Sequence, residues 1–207
     1  MKITIPVIIC FVLISTLNIA QAKAQSAEEV VRDTADQVIA KLDAEREVLE
    51  ASPEKIYGLI NELVIPHFDF VKMSKWVLGR NWLNATEMQR DQFVDQFRTL
   101  LVRTYAKALL EYSEEVIIYL PVQNNPESNI VVVKTEIQRP GSNTIPINYS
   151  MHVSDGVWKA IDVSIDGISL VATYRGSFAA EIRKNGIDSL ITKLSERNSS
   201  LTSVASQ

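Results

Sequence analysis

Between residues 116 and 165 the chain holds four β-type segments joined by short connections, and no other feature constrains the fold so tightly. Segments 116–121, 130–138, 144–154 and 157–165 are rich in Val, Ile, Thr and Tyr, residues that suit a pleated, half-buried surface. A parallel crossover needs about a dozen residues or more, and none of these connections is that long, so the strands must pair as an antiparallel meander. Asn124-Asn125-Pro126 and Pro140-Gly141-Ser142-Asn143 carry turn chemistry, and Asp155-Gly156 fits a two-residue type I′ hairpin. The third segment alternates cleanly. Ile145, Ile147, Tyr149, Met151 and Val153 face one way; Thr144, Asn148, Ser150 and His152 face the other, which places His152 on an exposed polar face.

The fourth segment runs into a joint. Val157, Ile161, Val163 and Ile165 alternate with Trp158, Ala160, Asp162, Ser164 and Asp166; Asp166-Gly167 then marks a sharp turn. Beyond it the period changes to that of a helix from 168 to about 185, with Leu170, Val171, Tyr174, Phe178 and Ile182 on one stripe. Gly186 breaks that helix, and Asp188 caps a last one with Leu190, Ile191 and Leu194 inward. Upstream, residues 26 to about 50 read as one amphipathic helix. Ser52-Pro53 restarts a second, with Ser as N-cap and Pro at the first helical position, and Pro66 ends it. The aromatic stretch 67–82 gives a short helix stopped by Gly79, with His67 in a structural hydrogen-bonding role. T-E-M-Q from Thr86 is a capping box opening the longest helix, whose inner face carries Phe93, Phe97, Leu100, Leu101, Tyr105, Ala108, Leu109 and Tyr112. Helices, strands, then helices make an α+β domain: a twisted four-stranded antiparallel sheet clasped by N- and C-terminal helices.

Residues 1–24 read as a secretory signal peptide. Lys2 supplies the positive start, residues 3–14 are almost wholly apolar, and small residues follow at Ala20, Ala22 and Ala24. Cleavage is expected after Ala24, with Ala22 as the alternative, leaving 25–207 as a single domain. Cys10, the only cysteine, leaves with the peptide, so the exported domain must hold together through its core without disulfides. Removing Lys2 and Lys23 takes the 21 basic residues to 19 against 25 acidic ones, a net charge of −6. That balance argues against a nucleic-acid partner and against passive adhesion to anionic membranes.

Motifs for chemistry are missing. The sequence has no G-x-S-x-G elbow, no H-E-x-x-H, no phosphate-binding glycine loop and no dinucleotide fingerprint. Two distant histidines and no mature cysteine do not make a zinc site. No catalytic residue, metal or cofactor is assigned. What the chain has in excess is inward-facing apolar surface, which either closes as a dry core or lines a cavity.

Two stretches carry a family resemblance. W-K-A-I-D-V-S-I-D-G-I-S-L-V-A-T-Y-R-G-S-F at 158–178 resembles the closing segment of the MlaC family, also called the toluene-tolerance auxiliary family. H-F-D-F-V-K-M-S-K-W-V-L-G-R-N-W at 67–82, followed by T-E-M-Q-R-D-Q-F-V-D-Q-F-R-T-L-L-V-R-T-Y at 86–105, agrees in order and spacing. The resemblance implies a periplasmic phospholipid-binding protein of Gram-negative bacteria, with lipid tails in an apolar pocket and the headgroup largely outside. It implies as partners an outer-membrane lipoprotein–porin complex and an inner-membrane ABC transporter with an MCE-type subunit. It implies a shuttle between them that maintains outer-membrane lipid asymmetry. With it, the lipid-binding slot is expected along Tyr149, Met151, Val163, Ile165, Leu170, Val171 and Tyr174, with Phe97, Leu101 and Tyr105 across from them. Arg175 is placed near the mouth, either meeting a phosphate or paired with an acid such as Asp162. Two other classes stay open on the residues alone: a small-molecule enzyme on a cone-shaped, steroid-isomerase-like α+β fold, with Asp162 and Tyr149 as its acid–base candidates, and a periplasmic chaperone for hydrophobic polypeptides.

Overall fold

The structure, a computed structural model, describes residues 25–112, 115–122, 128–139, 141 and 143–205. The expected signal peptide 1–24, the turn at 124–126 and positions 140 and 142 of the next turn lie outside the described residues.

The meander is present with one strand more than expected. β1 (Val116–Tyr119), β2 (Ile130–Gln138), β3 (Ile145–Ser154), β4 (Val157–Ile165) and β5 (Ile168–Ser169) pair in chain order as one antiparallel sheet. The added strand arises because Asp166 and Gly167 take φ of 51° and 78°, as Asp155 and Gly156 take 52° and 81°. Two consecutive positive φ values define the I′ turn whose twist matches paired strands. Asp166-Gly167 therefore folds a second hairpin, with Ile168 opposite Ile165 and Ser169 opposite Ser164. The following helix starts at Leu170, not at 168.

A bulge alters the reading of β4. Ser150 pairs with Asp162 but Met151 pairs with Ala160, so Ile161 is an extra residue. One inserted residue reverses the parity of everything before it. Trp158 and Ala160, expected to face away from Val163 and Ile165, pack inward instead. Val157 is left exposed.

The helices cover this sheet from both ends of the chain. α1 (Ala27–Ala44) opens with a capping box in which Ser26 and Glu29 bond each other's backbone. It is not continuous to 50. The chain leaves helical geometry at Glu45 (φ −111°, ψ 15°) before α2 (Arg46–Ala51). Ser52 makes no side-chain cap, and Pro53 starts a 3₁₀ turn (Pro53–Lys55) ahead of α3 (Ile56–Leu63). A second 3₁₀ turn (Ile65–His67) leads to α4 (Phe70–Leu78), which stops at Gly79 as expected, and to the short α5 (Arg80–Asn84). Thr86 and Gln89 form the expected box at the start of α6 (Glu87–Leu110), with bonds of 3.3 and 3.0 Å. α7 (Leu170–Ala205) is broken at Gly186, whose φ of 83° and ψ of 168° lie in a region open essentially to glycine alone. No described helix is long and apolar enough to cross a membrane.

Burial divides into three clusters. α1, α2 and α3 pack on α6 through Val38, Leu42, Leu49, Ile56, Leu59, Ile60 and Ala106. The start of α1 lays Ala27, Val30 and Val31 on the sheet at Val133, Met151 and Ala160. α4, α6 and α7 close over the other end of the sheet around Met73, Phe93, Phe97, Leu100, Val163 and Phe178.

The outer edge of β4 is covered at both ends, which keeps it from pairing with other chains. β5 covers one end. At the other, Phe68 bridges Ala160 and the Asp69 N–H donates to the Ala160 carbonyl at 2.9 Å. That crossing buries His152, contrary to the exposed position expected from alternation. The Asp69 carboxylate lies 2.9 Å from its Nε2, and Lys72 Nζ lies 3.1 Å from Nδ1. Alternation assigns a residue to a face, but not what covers that face.

Candidate functional site

The inner face of the sheet builds the site in two rows. Tyr119 pairs with Thr135, Thr135 with Ile147, and Ile147 with Ile165. In the next row Val133 pairs with Tyr149, and Tyr149 with Val163. Val163 and Ile165 come from β4, and the Asp166-Gly167 hairpin returns the chain at once to Leu170, Val171 and Tyr174 on α7. α6 supplies Phe97, Leu101 and Tyr105 from above. Phe97, Leu101, Val163, Leu170 and Val171 are buried in one cluster, and Tyr105, Tyr149, Ile165 and Tyr174 pack against it half-buried. The structure thus brings these nine expected residues together. It does not bring Met151 with them. Beyond the bulge, Met151 belongs to the cluster under α1, and Tyr149 is the residue that touches both.

An aromatic ladder joins α6 to α7. Phe93 stacks on Phe97 at 5.7 Å, Phe97 meets Tyr174 edge-on at 5.5 Å, and Phe178 stands edge-on to Phe93 at 5.8 Å. Contacts of this kind add about 0.5–1.5 kcal/mol each beyond the area they bury. Phe178 and Phe93 join the same cluster, on the stripes of Tyr174 and Phe97. Ile147 shares the alternating face of Tyr149. Tyr119 was not assigned a face, because four strand residues give too short a pattern.

The lining is uncharged, and its polar groups are phenols and hydroxyls. Burial pushes the Tyr149 phenol up, with the Thr135 hydroxyl partly opposing it. Burial also raises Tyr105, and the neighbouring Tyr174 adds to that. The Tyr119 phenol is pushed up to about 12, first by burial and then by Asp36, against the opposing charge of Arg32. All three remain neutral donors at any physiological pH. Two open clefts lie elsewhere: one of about 390 Å³ bordered by Gln92, Gln96 and Asp188, the other of about 440 Å³ bordered by Phe68, Val71, Arg98 and Lys159.

Asp162 is occupied structurally. Its Oδ2 accepts from the Ser169 hydroxyl at 2.5 Å and its Oδ1 from the Val171 N–H at 3.1 Å, while Ser169 Oγ accepts from the Ala172 N–H at 3.0 Å. Both oxygens hold the start of α7, where a carboxylate also meets the positive end of the helix. Asp162 is therefore engaged at the start of α7 and makes no ion pair with Arg175. Arg175 is exposed and makes no ion pair among the described residues; its guanidinium lies over the end of α4, where a Cβ added to Gly79 would sit 3.3 Å from Nη2. A cation beside a helix C-terminus is favourable.

Comparison with known proteins places this arrangement. Residues 32–196 match the family model described as MlaC protein. The toluene tolerance protein ttg2D of Pseudomonas putida is 26% identical over 178 residues, 86% of this chain and 82% of that protein. The intermembrane phospholipid transport system binding protein MlaC of Haemophilus influenzae is 24% identical over 193 residues, covering 91% and 90%. A solved structure, the phospholipid-binding protein from Ralstonia solanacearum in complex with a phospholipid, superposes with a TM-score of 0.79 at 30% identity, covering 86% of this chain and 99% of that one. With a match running from within α1 to near the end of α7, across every strand that builds the site, the chain belongs to the MlaC family.

Proposed function

We propose that this protein is a phospholipid carrier of the bacterial periplasm, released there by cleavage of its signal peptide. In this reading it carries lipid between an outer-membrane lipoprotein–porin complex and an inner-membrane ABC transporter with an MCE-type subunit, and so helps keep the outer membrane asymmetric. The slot runs between the inner sheet face and α6 and α7, along Phe97, Leu101, Tyr105, Tyr149, Val163, Ile165, Leu170, Val171 and Tyr174. The observation that carries the reading is the lining itself: a large apolar cluster shared by the sheet, α6 and α7, with Tyr105, Tyr149 and Tyr174 half-buried against it. Such a surface takes hydrocarbon and rejects ions.

The energetics suit a ferry. Burying acyl chains is worth about 0.8 kcal/mol per CH₂ against water, or about 24 kcal/mol over thirty methylenes. The same chains are already dry in a bilayer, so transfer from membrane to slot is close to balanced. The slot need only shield the tails, and docking partners set the direction. The enzyme reading finds no support: its candidate Asp162 is engaged at the start of α7, and burial raises the Tyr149 phenol.

The test is to purify the mature protein from periplasm, weigh it intact by native mass spectrometry, and extract whatever co-purifies. Near-stoichiometric phospholipid is expected. A lipid-free protein that also takes up none from vesicles would sink the carrier reading.

A further inference from the structure

The corner between α5 and α6 brings apolar side chains and cations together at the surface. Leu83 is 77% exposed and Met88 71%, the highest values for any large apolar residue described. Three cations from three other helices converge on the same corner. Lys75 Nζ of α4 lies 5.7 Å from the centre of the Trp82 ring, and the Arg90 guanidinium of α6 lies 5.4 Å from it. Arg90 also donates to the Trp82 carbonyl at 2.9 Å and to the Leu83 carbonyl at 3.3 Å, which holds it against α5. Arg175 of α7 lies over Gly79, whose carbonyl accepts from the Trp82 N–H at 3.2 Å. None of these cations is in an ion pair among the described residues.

The local charge runs against the whole. Residues 70–90 hold Lys72, Lys75, Arg80 and Arg90 against Glu87 alone, in a chain of net charge −4. Cations near the ends of α4 and α5 are favourable in themselves, which explains Lys75 and Arg90 but not the exposed Leu83 and Met88. A single exposed apolar residue needs no explanation. Two of them beside a tryptophan and unpaired cations match a bilayer-facing surface: apolar side chains deepest, Trp at the headgroup level, Lys and Arg on the phosphates. Side chains this exposed form a protrusion, and they border neither of the two open clefts. A protrusion enters a soft headgroup layer, whereas an acidic protein face would need a matching pocket. Nor does the negative total forbid contact. At physiological ionic strength charges are screened beyond about 8 Å, so a bilayer responds to the corner that faces it. We propose that the α5–α6 corner docks on anionic phospholipid bilayers, with Leu83 and Met88 entering the headgroup layer and Lys75, Arg90 and Arg175 meeting its phosphates. This surface goes beyond the carrier slot and shares no residue with it.

The test is sedimentation of the full-length mature protein with vesicles, of phosphatidylcholine alone or with added phosphatidylglycerol, and measurement of the protein in the pellet. Binding is expected only with phosphatidylglycerol, rising with its content and falling as salt is added. Lys75→Gln combined with Arg175→Gln should weaken it roughly 25-fold, since each basic residue near an anionic surface is worth roughly a factor of five. Leu83→Ser combined with Met88→Ser should weaken it with the charge unchanged. All four side chains are exposed, so the melting temperature should stay at the wild-type value. Lys107→Gln combined with Lys134→Gln removes the same charge from exposed positions in the last turn of α6 and on β2, and should leave binding nearly unchanged. An equal loss in that pair would mean a response to net charge and would overturn the corner. No binding to phosphatidylglycerol vesicles at low salt would overturn membrane docking altogether. Protein on the vesicle and lipid within the protein are separate readouts, so neither result bears on the carrier reading.

Discussion

Asp162 shows how much one carboxylate holds. It fixes the Ser169 hydroxyl and the Val171 N–H together, and so fixes the angle at which α7 leaves the sheet. Asp162→Ala should lower stability by about 2 kcal/mol in urea denaturation, a lost cap plus a buried donor left unpaired. Asp162→Asn, which keeps an acceptor, should lose less. Tyr119 supplies a pH dependence. Its phenol is pushed up to about 12 by burial, whereas an unfolded tyrosine ionises near 10. Below pH 10 both states are protonated and the group has no effect. As pH rises from 10 toward 12 only the unfolded chain releases its proton, so stability is lost over that window. Denaturation midpoints between about pH 9 and 11.5 should fall less steeply for Tyr119→Phe than for the wild type. Parallel curves would mean that the phenol is not held protonated. Asp162 itself stood out in the sequence as a polar residue beside an apolar stripe. Its role did not, because a cap formed from a strand nine residues upstream leaves no local pattern.

At the scale of elements, α7 is two helices stapled across a glycine. Gly186 takes a conformation that ends the first, and Glu181 bridges the break. The Glu181 carboxylate accepts from Asn185 at 2.7 Å, Ser189 at 3.0 Å and Lys193 at 2.8 Å. Lys193 foremost, with Asn185 next, holds its pKa down at about 2. The staple is thus fully present above the usual carboxylate value near 4.5 and is lost as pH falls from there toward 2. The protection of amides in 187–201, taken relative to the intrinsic exchange rate at each pH, should fall over that window before the rest of the protein responds, and Glu181→Gln should remove most of the difference. The break at Gly186 and the box at Thr86 were legible, since glycine and T-E-M-Q act through their own neighbours. The break at Glu45 was not. The apolar spacing continues through it, and only the turn of α2 onto α3 and α6 interrupts the helix.

At the scale of the molecule, the residues of the proposed slot pack on one another, so in the carrier reading a two-tailed lipid must part α6 and α7 from the sheet to enter. Lipid loading should therefore stabilise the fold by about 2.7 kcal/mol at a hundredfold excess over the dissociation constant, read as a concentration-dependent rise in melting temperature. Amide exchange should slow in β4 and the first half of α7 while the α1–α3 cluster stays unchanged. A uniform effect over all three clusters would place the lipid elsewhere. The sequence by itself determined the α+β class, the antiparallel order of the meander, both Asp-Gly turns and the apolar faces of α6 and α7. Each depends on chemistry within a few residues: turn conformation, capping and side-chain period. The tertiary structure alone decided that His152 is buried under Asp69 and Lys72, and that a bulge at Ile161 sends Met151 and Ala160 under α1. These depend on which distant segment covers a face, a competition among contacts far apart in the chain that no local period records.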